Sequence, residues 1–150
     1  MPIRILVVDD HELIRSNIRR LLATSPEFEI VAEAYTGLGA IHEAQKHQPE
    51  IVLLDIGLPD TNGLVALPLI LHVAPAAKVV MVSNHDDATF VQHALSGGAH
   101  GFLSKADVAP QLVSAMQQVL ANKRFLSRSL TKAKAQESPA GVAAPKSAEA

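Results

Sequence analysis

The sequence predicts an α/β fold with a parallel sheet, five strands alternating with five helices over about 120 residues. Three observations carry that expectation. Short bursts of Val, Ile and Leu recur along the chain, separated by segments of helical periodicity. Two bursts, Ile51-Val52-Leu53-Leu54 and Val79-Val80-Met81-Val82, are apolar at every position, as strands covered by helices on both faces should be. The chain has 150 residues, 48% of them hydrophobic, enough for one core and too apolar for a wholly disordered chain.

The elements follow in order. Ile3–Val8 reads as the first strand. Leu13, Ile14, Ile18, Leu21 and Leu22 then form one apolar stripe of a helix, with Arg15, Arg19 and Arg20 facing outward. Phe28–Ala34 is the second strand, and Ile41 and Ala44 mark the second helix. Ile51–Leu54 is the third strand. The third helix, from Leu64 to Val73, is unusual: Gly63 to Ala77 hold no charged residue, and Pro68 falls inside the pattern, where it should kink the helix or fix its first turn. Its outer face reads either as unusually apolar or as a partner-docking patch. Lys78–Val82 is the fourth strand. Phe90, Val91, Ala94 and Leu95 mark the fourth helix, which Gly97-Gly98 should stop. His100–Leu103 is the fifth strand, and Leu112, Val113, Met116, Val119 and Leu120 mark the fifth helix. Right-handed crossovers leave few ways to connect these pieces.

From about Ser127 the pattern collapses, and residues 131–150 form an Ala-rich stretch with Lys and Pro and only one larger aliphatic, Val142. It reads as a disordered tail, so the expected division is a folded domain at 1–122 and a basic, linker-like tail at 123–150. Charge divides in the same place. Residues 1–121 carry 7 Lys and Arg against 13 Asp and Glu, and residues 122–150 carry 6 against 2.

Composition excludes several classes. There is no Cys, hence no disulfide scaffold and no Cys-bearing metal or redox site. Aromatic residues make up 3%, and the net charge of −2 gives no global sign of nucleic acid. No apolar run approaches a signal-peptide core or a membrane span, so a cytoplasmic protein is expected.

The polar residues of interest sit at the same end of different strands. Asp9 and Asp10 follow the first, Asp55 the third, Ser83 the fourth, and Lys105 lies just past the fifth. In an open parallel α/β sheet, ligands bind outside the carboxyl ends of the strands, where the strand order reverses. If strands one and three are neighbours, all three carboxylates meet. Singly, each residue has a plain structural reading. Either Asp of the pair could cap the helix that follows, and Asp55 could shape the turn before Leu58-Pro59. Ser83 and Lys105 could be a loop hydroxyl and a solvated cation. Together they make a site. Three carboxylates in one cleft repel unless a cation neutralises them, and oxygen-only ligands with room for water suit Mg²⁺. A carboxylate beside Mg²⁺, an ammonium and a hydroxyl is a suitable acceptor for a phosphoryl group.

The strings LVVDDHELIR, LLDIGLPDTNG, VVMVSNHDD and GAHGFLSK resemble, in order and spacing, a two-component response-regulator receiver domain (CheY-like) over roughly residues 3–122. DDH at 9–11 and SNHDD at 83–87 are most similar to the NarL/LuxR-type subfamily, whose members usually carry a helix-turn-helix output domain. The resemblance implies a flavodoxin-like doubly wound sheet of five strands in the order 2-1-3-4-5. It implies Asp55 as the phosphoacceptor, Asp10 as a direct Mg²⁺ ligand, Asp9 as a ligand through water, and the Gly57 carbonyl as a backbone ligand. Lys105 would pair with the phosphoryl oxygens, Ser83 would hydrogen-bond one of them, and Phe102 would be the aromatic whose rotamer follows Ser83. The plain alternative for Phe102 is a core aromatic on an edge strand. Implied partners are a histidine kinase or phosphotransfer protein, a downstream protein reading the face of helix four, strand five and helix five, and a second copy dimerising through that face. No membrane is implied.

Departures from the family pattern are few. Gly57 offers no side chain beside Asp55, His85 lies two residues past Ser83, and Asn84 stands where the family usually has Ala or Gly. The remaining His residues, including His42 and His47, read as surface or loop residues. ANKRFLSRSL, at 121–130, looks like the start of the subfamily's linker. The 20 residues after it cannot hold a helix-turn-helix, so the sequence reads as a receiver that has lost its output domain or a chain cut short. The run Lys123, Arg124, Arg128, Lys132 and Lys134 reads as solvated linker, and DNA binding by this chain alone is not expected. A hydrolase of the haloacid-dehalogenase type would also use a strand-end Asp, Mg²⁺ and Lys, but needs a second Asp where Gly57 stands. A receiver kept only as a scaffold would not need Asp10, Asp55 and Lys105. A phosphoacceptor switch, not a classical enzyme, is the expectation that remains, with a fragment of a DNA-binding regulator as the alternative.

Overall fold

The computed structural model describes residues 1–84 and 88–127. His85 and the tail beyond Ser127 lie outside the described residues. The strands are β1 (Ile3–Val8), β2 (Phe28–Ala34), β3 (Ile51–Leu54), β4 (Lys78–Ser83), β5 (Gly101–Ser104) and β6 (Phe125–Leu126). The helices are α1 (Glu12–Leu22), α2 (Gly37–His47), α3 (Gly63–Val73), α4 (Ala88–Ser96) and α5 (Val108–Leu120), with a single 3-10 turn at Lys105–Asp107. All strand pairs are parallel, in the order β2-β1-β3-β4-β5-β6.

Side chains alternate across each strand and so divide the core in two. Leu6, Val8, Val52, Leu54, Val79, Met81 and Phe102 face a layer closed by α2, α3 and α4. Ile5, Val7, Ile51, Leu53, Val80, Val82 and Leu103 face a layer closed by α1 and α5. The uniformly apolar β3 is buried at all four positions, which accounts for its composition.

Helix starts and stops follow local chemistry. Thr36 caps α2 through its hydroxyl, which accepts from Gly39 N at 2.9 Å. Gly98, at φ 108°, adopts the left-handed turn after α4 that L side chains rarely adopt. Pro68 lies mid-helix in α3, well past its first turn, and with Val65, Leu69 and His72 forms an exposed uncharged stripe.

One expectation is corrected. The sheet has six strands, because the chain beyond 122 folds back onto β5. Asn122, at φ 64°, reverses the chain after α5. Phe125 then enters the α1–α5 layer at 7% exposure, while Leu126 packs on the other layer. Two residues preceded by Lys123 and Arg124 carry no alternation, so the strand left no periodic signal. Phe102 therefore lies on a strand paired on both sides, fully buried, rather than on an edge. Among the described residues, no helix is long and apolar enough to cross a membrane.

Candidate functional site

The reversal of strand order falls between β1 and β3, and their carboxyl ends present acidic residues. Asp9 and Asp55 extend their strands by one bond each: Asp9 N donates to Ala34 O and Asp55 N to Val8 O, both at 3.0 Å. Backbone pairing thus holds both residues independently of their side-chain contacts. Asp9 and Asp55 are 2% and 3% exposed, while the Asp10 side chain is 30% exposed. One ligand atom from each of Asp9, Asp10, His11 and Asp55 lies within 4.8 Å of the others.

Capping does not explain these carboxylates. The N-cap of α1 is His11, without a side-chain cap. Asp9 Oδ1 instead accepts from His11 N at 2.9 Å. The cap of α3 is Asn62, whose Oδ1 accepts from Leu64 N at 2.7 Å.

Lys105 reaches in from the turn after β5. Its ammonium lies 2.9 Å from Asp9 Oδ2 and 3.3 Å from Asp55 Oδ2, with the side chain only 8% exposed. Burial pushes the Lys105 pKa down, but bonds to Asp9 and the charge of Asp55 outweigh it and hold it above the ordinary value. Burial, then the charge of Asp9, raise the pKa of Asp55 in spite of Lys105 and an N–H from Gly57. Three carboxylates against one ammonium leave the pocket short of positive charge. The three carboxylates of that cluster, all oxygen donors, fit a hard divalent cation.

The loop after β3 is held at both ends. Gly57 and Asn62 form an antiparallel bridge, and Gly63 N donates to Ile56 O at 2.6 Å. A Cβ on Gly63 would lie 2.1 Å from Asp55 O, so only glycine lets α3 start this close to the acidic pocket. Asp60 accepts from Gly37 N (2.7 Å) and Leu38 N (3.0 Å), tying the loop to the start of α2, and those bonds hold its pKa down. Loop residues 56–62 and Phe90 of α4 line a cavity of about 390 Å³ beside Asp55.

The other expected residues are placed as follows. Ser83 ends β4, fully buried, opposite Ser104 of β5. Asn84 is exposed just beyond it. Phe102 is packed in the α2–α4 layer with Val91 and Ala94. Gly57 is exposed at the mouth of the pocket.

Sequence reasoning missed the contacts of three residues. His11 is an exposed loop residue, as expected, but its Nδ1 lies 3.0 Å from Asp9 Oδ1 and 3.1 Å from Asp10 Oδ1. His100 is half-buried, its Nδ1 accepting from Val79 N at 3.0 Å. Arg15 does not face solvent. Its guanidinium donates to the Asp9 carbonyl, Glu12 and Glu33 and lies over the Tyr35 ring, so it braces the β1–α1 turn. Adjacency to Asp9-Asp10 could have flagged His11. Helical phase alone places Arg15 outward, because it cannot register the length of the side chain.

Residues 5–117 match the sequence model of the family described as the response regulator receiver domain. The chain is 36% identical over 129 residues to the transcriptional regulatory protein DegU of Brevibacillus brevis, covering 86% of this chain and 55% of the relative. It is 35% identical over 125 residues to the response regulator GacA of Pseudomonas viridiflava, covering 83% of this chain and 58% of the relative. It thus spans little more than half the length of these relatives. Among solved structures, a LuxR-family two-component response regulator from Aurantimonas sp. SI85-9A1 superposes with a TM-score of 0.85 at 31% identity, covering 91% of this chain and 98% of the other.

Proposed function

The chain belongs to the response regulator receiver domain family, and we propose that it works as a phosphorylation-dependent switch of a two-component system, with Asp55 as the phosphoacceptor. One observation carries the reading: Lys105 bridges two buried carboxylates from neighbouring strands, with Asp10 in the same cluster.

A Asp55 carboxylate oxygen attacks the phosphorus of a phosphohistidine on a histidine kinase or phosphotransfer protein. The new P–O bond forms as the P–N bond breaks, and the imidazole leaves with the electron pair. The Lys105 ammonium lies where it can neutralise a phosphoryl oxygen, releasing its hold on Asp55 to do so. Ser83, at the end of β4, supplies a hydroxyl to a second oxygen. Asp9, Asp10, Asp55 and the Gly57 carbonyl would hold Mg²⁺. When bound, the metal offsets the charge that develops on the transferring oxygens. Phosphorylation adds about −1.5 to −2 charges and three acceptor oxygens. Ser83 moves toward them and Phe102 repacks behind it, altering the face of α4, β5 and α5 on which a downstream protein or a second copy docks. The receiver acts in the cytoplasm as a signalling module, with no substrate turnover beyond gain and loss of its own phosphoryl group.

Incubating the chain with a small phosphodonor and Mg²⁺, then resolving the phosphoprotein, tests the assignment. Labelling should require Mg²⁺ and vanish in Asp55→Ala; equal labelling of both proteins would refute it. A second reading, the receiver portion of a longer DNA-binding regulator, is supported by relatives named as transcriptional regulators of which this chain spans 55%. Under that reading the same labelling persists, and the isolated chain binds no specific DNA.

A further inference from the structure

We propose that Ser127 is a positioning residue for the phosphoacceptor site, and that its seat on β5 passes the state of that site to the chain that follows. The proposal rests on the switch reading above and adds to it the means of transmission.

Three serines stand in a row where the last strands end: Ser83 and Ser104 close β4 and β5, and Ser127 follows β6. Ser83 lies opposite Ser104 in the β4–β5 ladder, and Ser104 N donates to Ser127 Oγ at 3.1 Å. Their exposures are 0%, 3% and 0%. A buried hydroxyl is costly unless bonded, so a row of three in an apolar sheet reflects a specific arrangement rather than surface chemistry.

Ser127 grips β5 at two points. Its N–H donates to Phe102 O at 3.0 Å, as in an ordinary parallel ladder. The next ladder bond would run from Ser104 N to a backbone carbonyl. Here the Ser127 hydroxyl accepts it instead, and the pairing ends there. Between the two grips lies the segment from Phe102 to Ser104, and Lys105 follows directly. One residue thus fixes the backbone that carries both the proposed aromatic switch and the bridging ammonium. The two residues before it anchor the strand in both core layers, Phe125 in one and Leu126, opposite Phe102, in the other.

Coupling between two sites is reciprocal. If ligation of Asp55 shifts Lys105 or Phe102, it changes the free energy of seating Ser127, and loss of that seat changes ligation of Asp55 by the same factor.

The test uses the full chain with Mg²⁺ and beryllofluoride, a stable phosphoryl mimic. Fluorine NMR follows binding, and amide hydrogen exchange follows Phe125 and Ser127. In the wild type, saturation should change exchange at these amides by threefold or more. Ser127→Ala should weaken beryllofluoride binding by about threefold to tenfold, the range of one lost hydrogen bond. Thr36→Ala, which removes the α2 cap at comparable cost to stability, should leave binding unchanged. Suppose the wild type binds the mimic, but exchange at these amides is unchanged or Ser127→Ala binds equally well. The coupling is then overturned and the switch reading stands. If the wild type binds no better than Asp55→Ala, the switch reading itself fails, and this proposal with it. Should Ser127→Ala fail to fold, the wild-type exchange measurement decides alone.

Discussion

Gly63→Ala places a methyl group where the structure has no room. The new Cβ would lie 2.1 Å from Asp55 O, 2.8 Å from Ile56 Cα and 2.9 Å from the Asp55 carbonyl carbon. The obstacle is backbone on every side, so no rotamer relieves it. The gap to ordinary contact exceeds an ångström, and either α3 or the Asp55–Ile56 peptide must retreat. Overpacking of this kind costs about 1–3 kcal/mol, offset by at most about 1 kcal/mol of helix propensity. The net cost of about 1–2 kcal/mol, at about 2–4 °C per kcal/mol for a domain of this size, should lower the melting temperature by roughly 2–8 °C. Function should suffer more than stability. A displacement of about 1 Å at a reacting group costs about 100-fold in rate, so phosphodonor labelling should slow by that order while the chain stays folded. Calorimetry and a labelling time course on the same preparation separate the two effects. A variant that melts and labels as the parent does would show that Asp55 is not positioned by the start of α3.

Two further outcomes follow from titration. The folded-state pKa of Asp55 is raised, first by burial and then by Asp9, so its ionised form costs stability as pH rises above the unfolded carboxyl value. Asp55→Asn should therefore melt higher than the parent at pH 7 in metal-free buffer, with the gain shrinking toward pH 4. Mg²⁺ should raise the parent's melting temperature more than the variant's, and a lower melting temperature for the variant at pH 7 would contradict this. His100 shows the converse: burial, then Lys78 and Arg124, lower its pKa below the ordinary 6.5. The unfolded chain then takes up a proton that the folded chain resists, so stability is lost as pH falls below about 6.5. Denaturant midpoints measured from pH 7 to pH 5 should fall less steeply in His100→Asn, and parallel slopes would refute the role.

Much of the architecture was legible because its signals are local. Ile51–Leu54 is apolar throughout because helices cover both faces, and the sequence bounds match the strand. Asp9, Asp55 and Lys105 were legible as a set because parallel topology sends every strand's carboxyl end to the same side. The pairing of β6 was not, since a two-residue strand has no period and is specified only by the β5 edge it meets. Nor was Arg15's inward reach, which depends on Glu33 of β2, 18 residues away. Contacts made by long side chains across elements leave no mark in a periodic pattern.

The short strand β6 also changes how the sheet meets its surroundings. An unpaired strand edge is a template onto which another chain can add. On one side of this sheet the outermost strand, β2, carries the exposed Glu29, a charge that discourages such addition. On the other side, β5 offers the carbonyls of His100 and Phe102 and the amide of Ser104, and β6 with Ser127 takes all three. A segment of three residues thereby protects against edge-to-edge aggregation, and variants that unseat it should lose solubility before they lose the fold.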